Sequence, residues 1–323
     1  MLTSWRAYRV DMELTVTPFT ARDGENLAIY NWHAARRTNP ADSQFGDRYS
    51  GPAGIALIVH GLGEHAGRYE GVAQLLMQSG FAVRGYDQRG HGRSDGQRGA
   101  LPDHDVLLED LAEMVDEARL HGMPFPTTAG ELEAEHAAPK NLPLILIGHS
   151  LGGLVAARFV ALNLRPVDGL VLSSPALDPG LSIFKKLLLA ASLKLMPSMT
   201  VNNGLNPDYL SRDPQVVKAY LEDRLVHNKI SPRLGHFIAT AGPATIAAAA
   251  NWRTPTLLMY AGADKLVNPE GSRRFATLAA QSRTVKPGMV TAKCFDGYYH
   301  ELFNELEPAP VFELLKTWLD TRF

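Results

Sequence analysis

One short segment of the sequence has the residue types of a serine nucleophile. Gly148-His149-Ser150-Leu151-Gly152 matches the G-x-S-x-G pattern, in which the serine occupies a sharp turn between a strand and a helix. A strand-like apolar run at 144–147 precedes it, and a helix-like run at 154–162 follows. The two glycines provide the small neighbours that such a turn requires, and the helix N-terminus adds partial positive charge where an oxyanion would form. The pattern therefore predicts that Ser150 is a nucleophile.

A serine hydroxyl needs a histidine as general base and a carboxylate to orient that histidine. In this strand–turn–helix context the chain order is serine, acid, histidine, with each residue at a strand end. Asp264 follows a strand-like run at 256–261, and His300 follows the last one, at 290–295. We therefore expect a triad of Ser150, Asp264 and His300. Asp296 is the alternative acid but lies on the same connection as His300. The structural alternative makes Asp264 a turn cap and His300 a surface histidine.

The tetrahedral oxyanion of such a reaction needs two backbone N–H donors. One is expected from Leu151, directly after the nucleophile. The other is expected from Leu62, in the loop that follows the strand-like run at 55–59, because glycines flank it and let its amide turn inward.

The chain resembles the monoacylglycerol lipase and lysophospholipase branch of the α/β-hydrolases, which are hydrolases of the serine aminopeptidase S33 type. The motifs that carry the resemblance are His60-Gly61-Leu62-Gly63-Glu64-His65, Gly67-Arg68-Tyr69, Asp87-Gln88-Arg89-Gly90-His91-Gly92-Arg93-Ser94, Gly148-His149-Ser150-Leu151-Gly152, Gly262-Ala263-Asp264 and Tyr299-His300. The resemblance implies the same triad and the same two oxyanion donors. It also implies that Glu64 and Arg68 help to hold the polar alcohol end of the substrate.

The glycine-rich loop also fits a dinucleotide-binding fingerprint. Gly61, Gly63 and Ala66 have the required spacing, and Asp87 follows Ala66 by 21 residues. Glu64 would then place a carboxylate beside a pyrophosphate at a helix N-terminus, which is repulsive. We therefore disfavour a nucleotide site.

Three further alternatives are also disfavoured. A metal site of His60, His65 and His91 lacks the i, i+4 helical register of a zinc motif. A binding protein that had lost catalysis would usually lack a triad member, and none is missing. Dehalogenases and epoxide hydrolases of this fold use an aspartate where Ser150 stands. We expect no cofactor and no metal.

Short apolar runs alternate with helix-period segments along the chain, which is typical of an α/β protein with a mostly parallel sheet. The expected strands lie at 55–59, 81–86, 144–147, 170–172, 256–260 and 290–295, after an opening strand pair within 12–34. Leu107, Leu111, Met114 and Ala118 have the spacing of one buried helix face. We expect an α/β-hydrolase fold with a helical cap.

Two segments interrupt the alternation. Residues 121–143 are rich in proline and glutamate and are expected to form a surface excursion, whereas 176–250 is too long for a loop and is expected to form a cap. The predicted organisation is a first core part at 1–175, the cap at 176–250 and a second core part at 251–323. The cap contains apolar side chains and lysines that fit either burial against the core or an apolar entrance that contacts lipid, namely Leu181, Phe184, Lys185, Lys186, Leu187, Leu188, Leu189, Leu193 and Lys194.

The composition limits the classes of partner that the protein is expected to bind. Of 323 residues, 45% are apolar and 20% are charged, with 32 basic against 34 acidic side chains, which argues against nucleic acid as a partner. The single cysteine, Cys294, and the absence of an apolar leader run predict a reducing, cytoplasmic compartment, with transient contact between cap and membrane or micelle.

The expected function is hydrolysis of a monoacylglycerol or lysophospholipid. The alternative is a short-chain or xenobiotic carboxylesterase, thioesterase or amidase with the same triad. The oligomeric state is left open.

Overall fold

A mostly parallel sheet of eight strands lies at the centre of the described part of the chain. The computed structural model describes residues 12–34, 52–121, 142–180 and 183–323. Its strands are β1 (Met12–Thr20), β2 (Asn26–Ala34), β3 (Gly54–Val59), β4 (Phe81–Tyr86), β5 (Leu144–His149), β6 (Gly169–Ser173), β7 (Val201–Asn202), β8 (Lys229–Ile230), β9 (Thr256–Ala261) and β10 (Val290–Phe295). The order in the sheet is β1-β2-β4-β3-β5-β6-β9-β10, whereas β7 and β8 form a separate antiparallel pair.

The strand directions follow from the connections. β1 and β2 form an antiparallel hairpin and β2 pairs antiparallel with β4, whereas the pairings from β4 through β10 are parallel. Every residue of β3, β5 and β9 is buried, which explains their continuous apolar sequences, because helices cover both faces of a parallel sheet. The predicted strands and the opening strand pair are therefore confirmed.

Helices cover both faces of the sheet. They are α1 (Glu70–Gln78), α2 (Val106–His121), α3 (Ser150–Ala161), α4 (Ile183–Leu195), α5 (Pro214–Glu222), α6 (Pro232–Ala248), α7 (Pro269–Gln281) and α8 (Ala309–Arg322). Helices α2, α3, α6 and α7 contribute Leu111, Phe159, Phe237 and Phe275 to one core. Helices α1 and α8 contribute Leu76 and Trp318, among others, to the core on the opposite face. This arrangement places the carboxyl ends of neighbouring strands along one edge.

The segment between β6 and β9 contains α4, the β7–β8 pair, α5 and α6. It is attached to the loops of the sheet edge by hydrogen bonds from His227 N to Gly63 O (2.9 Å) and between His65 Nε2 and Asp223 Oδ2 (2.8 Å). Helix α6 packs on α3 and α7, and its apolar side chains belong to the main core. We propose that 176–250 is the cap and that α6 anchors it.

Helix α4 has one face toward the protein and another toward solvent. Leu189 and Leu193 are half-buried, whereas Leu187, Leu188 and Leu195 are 66%, 58% and 77% exposed. Leu181, and the side chains of Phe184, Lys185 and Lys186, lie outside the described residues, as do residues 122–141 of the expected excursion at 121–143. In the part of the chain that the structure describes, no helix combines the length and apolar character needed to cross a membrane.

Candidate active site

Ser150 begins α3 directly after β5, at a strained turn. Its φ of 51° lies in the left-handed region, which is unusual for a residue with a side chain. A Cβ on Gly152 would overlap the carbonyl oxygens of Val59 and His60, so the turn packs against the end of β3 and a side chain cannot be fitted there. The N-cap residue, His149, makes no side-chain cap hydrogen bond to the helix. The first N–H groups of α3, including that of Leu151, are therefore not capped by a side chain.

The structure joins Asp264 and His300 by a short hydrogen bond. His300 Nδ1 lies 2.7 Å from Asp264 Oδ2, and the two side chains are only 4% and 3% exposed. The other carboxylate oxygen, Oδ1, accepts hydrogen bonds from the backbone N–H groups of Leu266 (2.9 Å) and Val267 (3.0 Å). Asp264 is therefore held from both sides, and its orientation relative to the imidazole is set by the loop after β9.

Burial and charge act in opposite directions on this pair. Burial by itself would lower the pKa of His300, but the Asp264 carboxylate beside it raises that pKa above the ordinary value. Burial would raise the pKa of Asp264, but the charge of His300 and the backbone hydrogen bonds hold it below the ordinary value. The pair thus favours an ionised carboxylate that stabilises an imidazolium.

Ser150 and His300 face a common cavity of about 480 Å³ at the carboxyl edge of the sheet. The glycine-rich loop, the turn at Ser150 and residues between 202 and 228, from the segment between β6 and β9, all contribute to its lining. The lining residues are Gly61, Leu62, Glu64, Arg68, His149, Ser150, Asn202, Asn203, Leu205, Asn206, Pro207, Leu210, Tyr220, Leu221, Asp223, Val226, His227, Asn228, Leu266, His300 and Glu301. The structure therefore brings together the expected serine and histidine, Leu62, Glu64 and Arg68.

Several hydrogen bonds hold the loop that carries Leu62. His60 Nε2 accepts from Gln88 N (2.8 Å), and Gln88 Nε2 donates to His60 O (2.6 Å). Gly63 has a φ of +76°, and a side chain there would overlap the carbonyl oxygen of His227 in the cap. Glycine at this position therefore lets the loop turn and lets the cap approach it closely.

Glu64 is almost fully buried and accepts three hydrogen bonds. The donors are Gly61 N (2.6 Å), the hydroxyl of Tyr69 (2.5 Å) and Arg68 Nη1 (2.5 Å). Burial would raise the pKa of Glu64, but the guanidinium of Arg68 and nearby imidazoles keep it well below the ordinary range. Glu64 is therefore a carboxylate whose oxygens already have protein partners.

Other residues near the site have structural partners. His149 Nδ1 lies 3.0 Å from Ser173 O, and burial lowers the pKa of His149 to about 4, so its ring is neutral. Asp296, the alternative acid, accepts from Cys294 Sγ at 3.3 Å. Asp87, the acid of the nucleotide alternative, is fully buried and accepts from the Tyr30 hydroxyl and from the backbone N–H groups of Ala66 and Arg93. Among the described residues no cluster of three or more histidine, cysteine or acidic side chains could hold a metal.

Two residues of the site were not anticipated. Glu301 follows His300 directly and binds Arg68, and Tyr220 of α5 lies with its ring 4.9 Å from the Arg68 guanidinium. An acid next to the expected base was the available sequence signal for Glu301. Tyr220 stands in no motif, so no local signal pointed to it.

Solved structures with this architecture are α/β-hydrolases. The crystal structure of Paleococcus ferrophilus monoacylglycerol lipase superposes with a TM-score of 0.70 at 30% identity, covering 96% of this chain and all of that one. The expected α/β-hydrolase fold is therefore confirmed.

The family model described as serine aminopeptidase, S33, matches residues 50–307, and the chain belongs to this family of hydrolases. The chain is 34% identical over 271 residues to the monoacylglycerol lipase of Mycolicibacterium smegmatis, covering 83% of this chain and 88% of that protein. It is also 31% identical over 317 residues to an uncharacterized abhydrolase domain-containing protein of Dictyostelium discoideum. That match covers 96% of this chain but only 29% of the longer protein. The sequence resemblance is thereby confirmed, and the chain is a hydrolase.

Proposed function

We propose that the protein hydrolyses carboxylic esters with Ser150 as nucleophile, His300 as general base and Asp264 as the acid that orients it. The observation that carries the proposal is the buried 2.7 Å hydrogen bond between His300 and Asp264, in a cavity that His300 shares with Ser150. The strained turn at Ser150 is the second support, because it exposes the hydroxyl above the strand ends.

The reaction has an acylation half and a deacylation half. His300 Nε2 takes the proton of Ser150 Oγ as the oxygen attacks the ester carbonyl carbon, and the Leu62 and Leu151 amides donate to the resulting oxyanion. His300 then returns the proton to the leaving alcohol as the ester bond breaks. In deacylation, water attacks the acyl-enzyme carbonyl carbon as His300 takes a proton from it, and His300 returns that proton to Ser150 Oγ as the bond to the acyl group breaks. Asp264 stabilises the imidazolium in both halves.

A monoacylglycerol or a lysophospholipid is the substrate class that we favour. The residues that line the cavity include apolar side chains, among them Leu205, Leu221 and Val226, as well as polar ones. An acyl chain would contact the apolar side chains, and the alcohol would contact polar ones. The proteins of M. smegmatis and P. ferrophilus, both named monoacylglycerol lipases, support this choice.

Small polar esters are the second candidate. The cap contributes four asparagines to the cavity wall, at 202, 203, 206 and 228, which is a more polar surface than a long acyl chain requires. A short-chain carboxylesterase, thioesterase or amidase would use the same triad, because the triad accepts any acyl group that the cap admits.

We also propose that α4 contacts lipid surfaces. Its exposed leucines continue into Met196, Met199 and Val201, which are 46–48% exposed. Apolar side chains grouped in this way are typical of an interfacial helix. Leu195→Asp is expected to slow hydrolysis of micellar substrate while leaving hydrolysis of a water-soluble ester unchanged, as measured above and below the critical micelle concentration.

A chain-length series tests the substrate class. p-Nitrophenyl esters from acetate to palmitate and a monoacylglycerol are compared, with Ser150→Ala as the inactive control. A maximum at medium or long chains, with glycerol released, supports the lipase. Turnover of acetate and butyrate alone would leave the triad in place and favour the second candidate. Wild-type activity retained by Ser150→Ala would refute the proposed nucleophile.

A further inference from the structure

Arg68 lies between two buried carboxylates that come from different loops. Its Nη1 donates to Glu64 Oε2 (2.5 Å) and to Glu301 Oε1 (2.7 Å), and its Nη2 donates to Glu301 Oε2 (2.8 Å). The side chain of Arg68 is 12% exposed, and those of both glutamates are 5% exposed. The fork of the guanidinium suits this bidentate geometry, which an ammonium group cannot reproduce.

The first carboxylate, Glu64, is connected to the oxyanion loop. Its Oε1 accepts from the backbone N–H of Gly61, and Gly61 directly precedes Leu62. A displacement of Glu64 would therefore move the peptide next to the proposed oxyanion donor.

The second carboxylate, Glu301, is connected to the proposed base. It follows His300 in the chain, its Oε2 also accepts from Asn304 Nδ2 (2.8 Å), and its backbone N–H donates to Leu210 O of the cap (2.8 Å). The ring of Tyr220, also from the cap, lies over Arg68. Arg68 thus contacts the oxyanion loop, the histidine loop and the cap at one point.

We infer that Arg68, through Glu64 and Glu301, is a positioning residue that sets the Leu62 amide and His300 at their working separation. This inference rests on the proposed ester hydrolysis and revises the role that the resemblance implied, in which Arg68 holds the substrate's alcohol. The two roles differ in what they predict. A positioning residue affects every ester equally, whereas an alcohol ligand affects only esters with a polar alcohol.

The test compares Arg68→Lys and Glu301→Gln on a monoacylglycerol and on the methyl ester of the same fatty acid. A misplacement of ~1 Å can reduce a catalysed rate by roughly 100-fold, so we expect kcat to fall by about 10- to 100-fold on both esters. KM should stay within about threefold, because little substrate binding is lost. A loss confined to the monoacylglycerol, with raised KM, would overturn the inference, and so would unchanged kcat on the methyl ester.

Arg165→Lys is the matched control. Arg165 also binds a carboxylate with two guanidinium nitrogens, because its Nε donates to Asp116 Oδ1 and its Nη2 donates to Asp116 Oδ2, both at 2.9 Å, but it does not line the cavity. We expect its kcat to match the wild type on both esters. A loss of kcat as large as that of Arg68→Lys would mean that weakening an arginine–carboxylate pair outside the cavity lowers activity equally, and would overturn the inference.

The pH profile gives a readout that loss of stability would not move. The Glu301 carboxylate favours the imidazolium form of His300, so Glu301→Gln should shift the acid limb of kcat/KM to lower pH. Arg68→Lys, which keeps the charge, should leave the limb in place. Thermal unfolding establishes that each variant is folded, and Glu301→Gln serves if Arg68→Lys does not fold. A wild-type chain inactive on all esters would instead refute the proposed function.

Discussion

Asp264→Asn is expected to damage the proposed triad by holding His300 in the wrong tautomer. Asp264 Oδ1 accepts from two backbone N–H groups, so the amide oxygen of an asparagine must take that position. Its NH₂ group then faces His300 Nδ1, which has to accept a hydrogen bond. The ring proton moves to Nε2, and His300 can no longer receive the proton of Ser150.

The size of the effect follows from the cost of turning the asparagine over. A flipped amide would leave two buried backbone N–H groups without acceptors, at about 1–3 kcal/mol each, or about 2–6 kcal/mol in total. At about 1.36 kcal/mol per factor of ten, the active tautomer is disfavoured by roughly 30- to 3 × 10⁴-fold. Loss of the carboxylate charge beside the imidazolium adds to this. We therefore expect kcat to fall by about 10³- to 10⁴-fold, which is typical of this exchange in a Ser-His-Asp triad.

The assay is steady-state hydrolysis of p-nitrophenyl butyrate, with Asp296→Asn as the matched control. Asp296 lies four residues before His300 and contacts Cys294 rather than the imidazole, so its variant should keep near-native kcat. Circular dichroism and thermal unfolding show whether both variants are folded. A folded Asp264→Asn within tenfold of the wild type would refute the tautomer argument. Loss of activity in Asp296→Asn alone would identify Asp296 as the acid.

Three further outcomes follow from the titrations and the packing. Because the pKa of His300 is raised above 6.5, kcat/KM should fall on the acid side with a midpoint above pH 6.5, as a pH–rate profile will show. Burial lowers the pKa of His149 from 6.5, its value in the unfolded chain, to about 4 in the folded chain. Between pH 6.5 and pH 4, His149 is therefore protonated in the unfolded chain and neutral in the folded chain. His149 by itself should therefore lower the free energy of unfolding by about 2–3 kcal/mol between pH 7 and pH 4.5, and urea titrations should show that His149→Asn removes this part of the pH dependence. Gly152→Ala should destabilise the protein by about 2 kcal/mol or more, because the new Cβ overlaps two carbonyl oxygens; unchanged urea stability would contradict that packing argument.

Local patterns were sufficient for most of the fold. The run 144–147 predicted β5 because a strand buried on both faces must be apolar throughout, and the helical spacing from Leu107 to Ala118 predicted α2. The turn at Ser150 was predictable because the small residues that it requires, Gly148 and Gly152, lie within the same five-residue segment as the serine. Asp264 and His300 were predicted as members of the triad because each follows a strand, and parallel strands bring such positions to one edge of the sheet.

The sequence by itself therefore determined the fold class, the turn at Ser150 and the nomination of Asp264 and His300. Only the tertiary structure decided that His149 faces Ser173. It also decided that Arg68 binds Glu301, which lies 233 residues further along the chain. It also decided that Asp223 of the cap meets His65, across 158 residues. Local preferences act over a few residues, whereas these contacts depend on how the strands are ordered in the sheet and where the cap docks. For that reason the ion-pair partners of the charged residues around the site could be identified only from the folded structure.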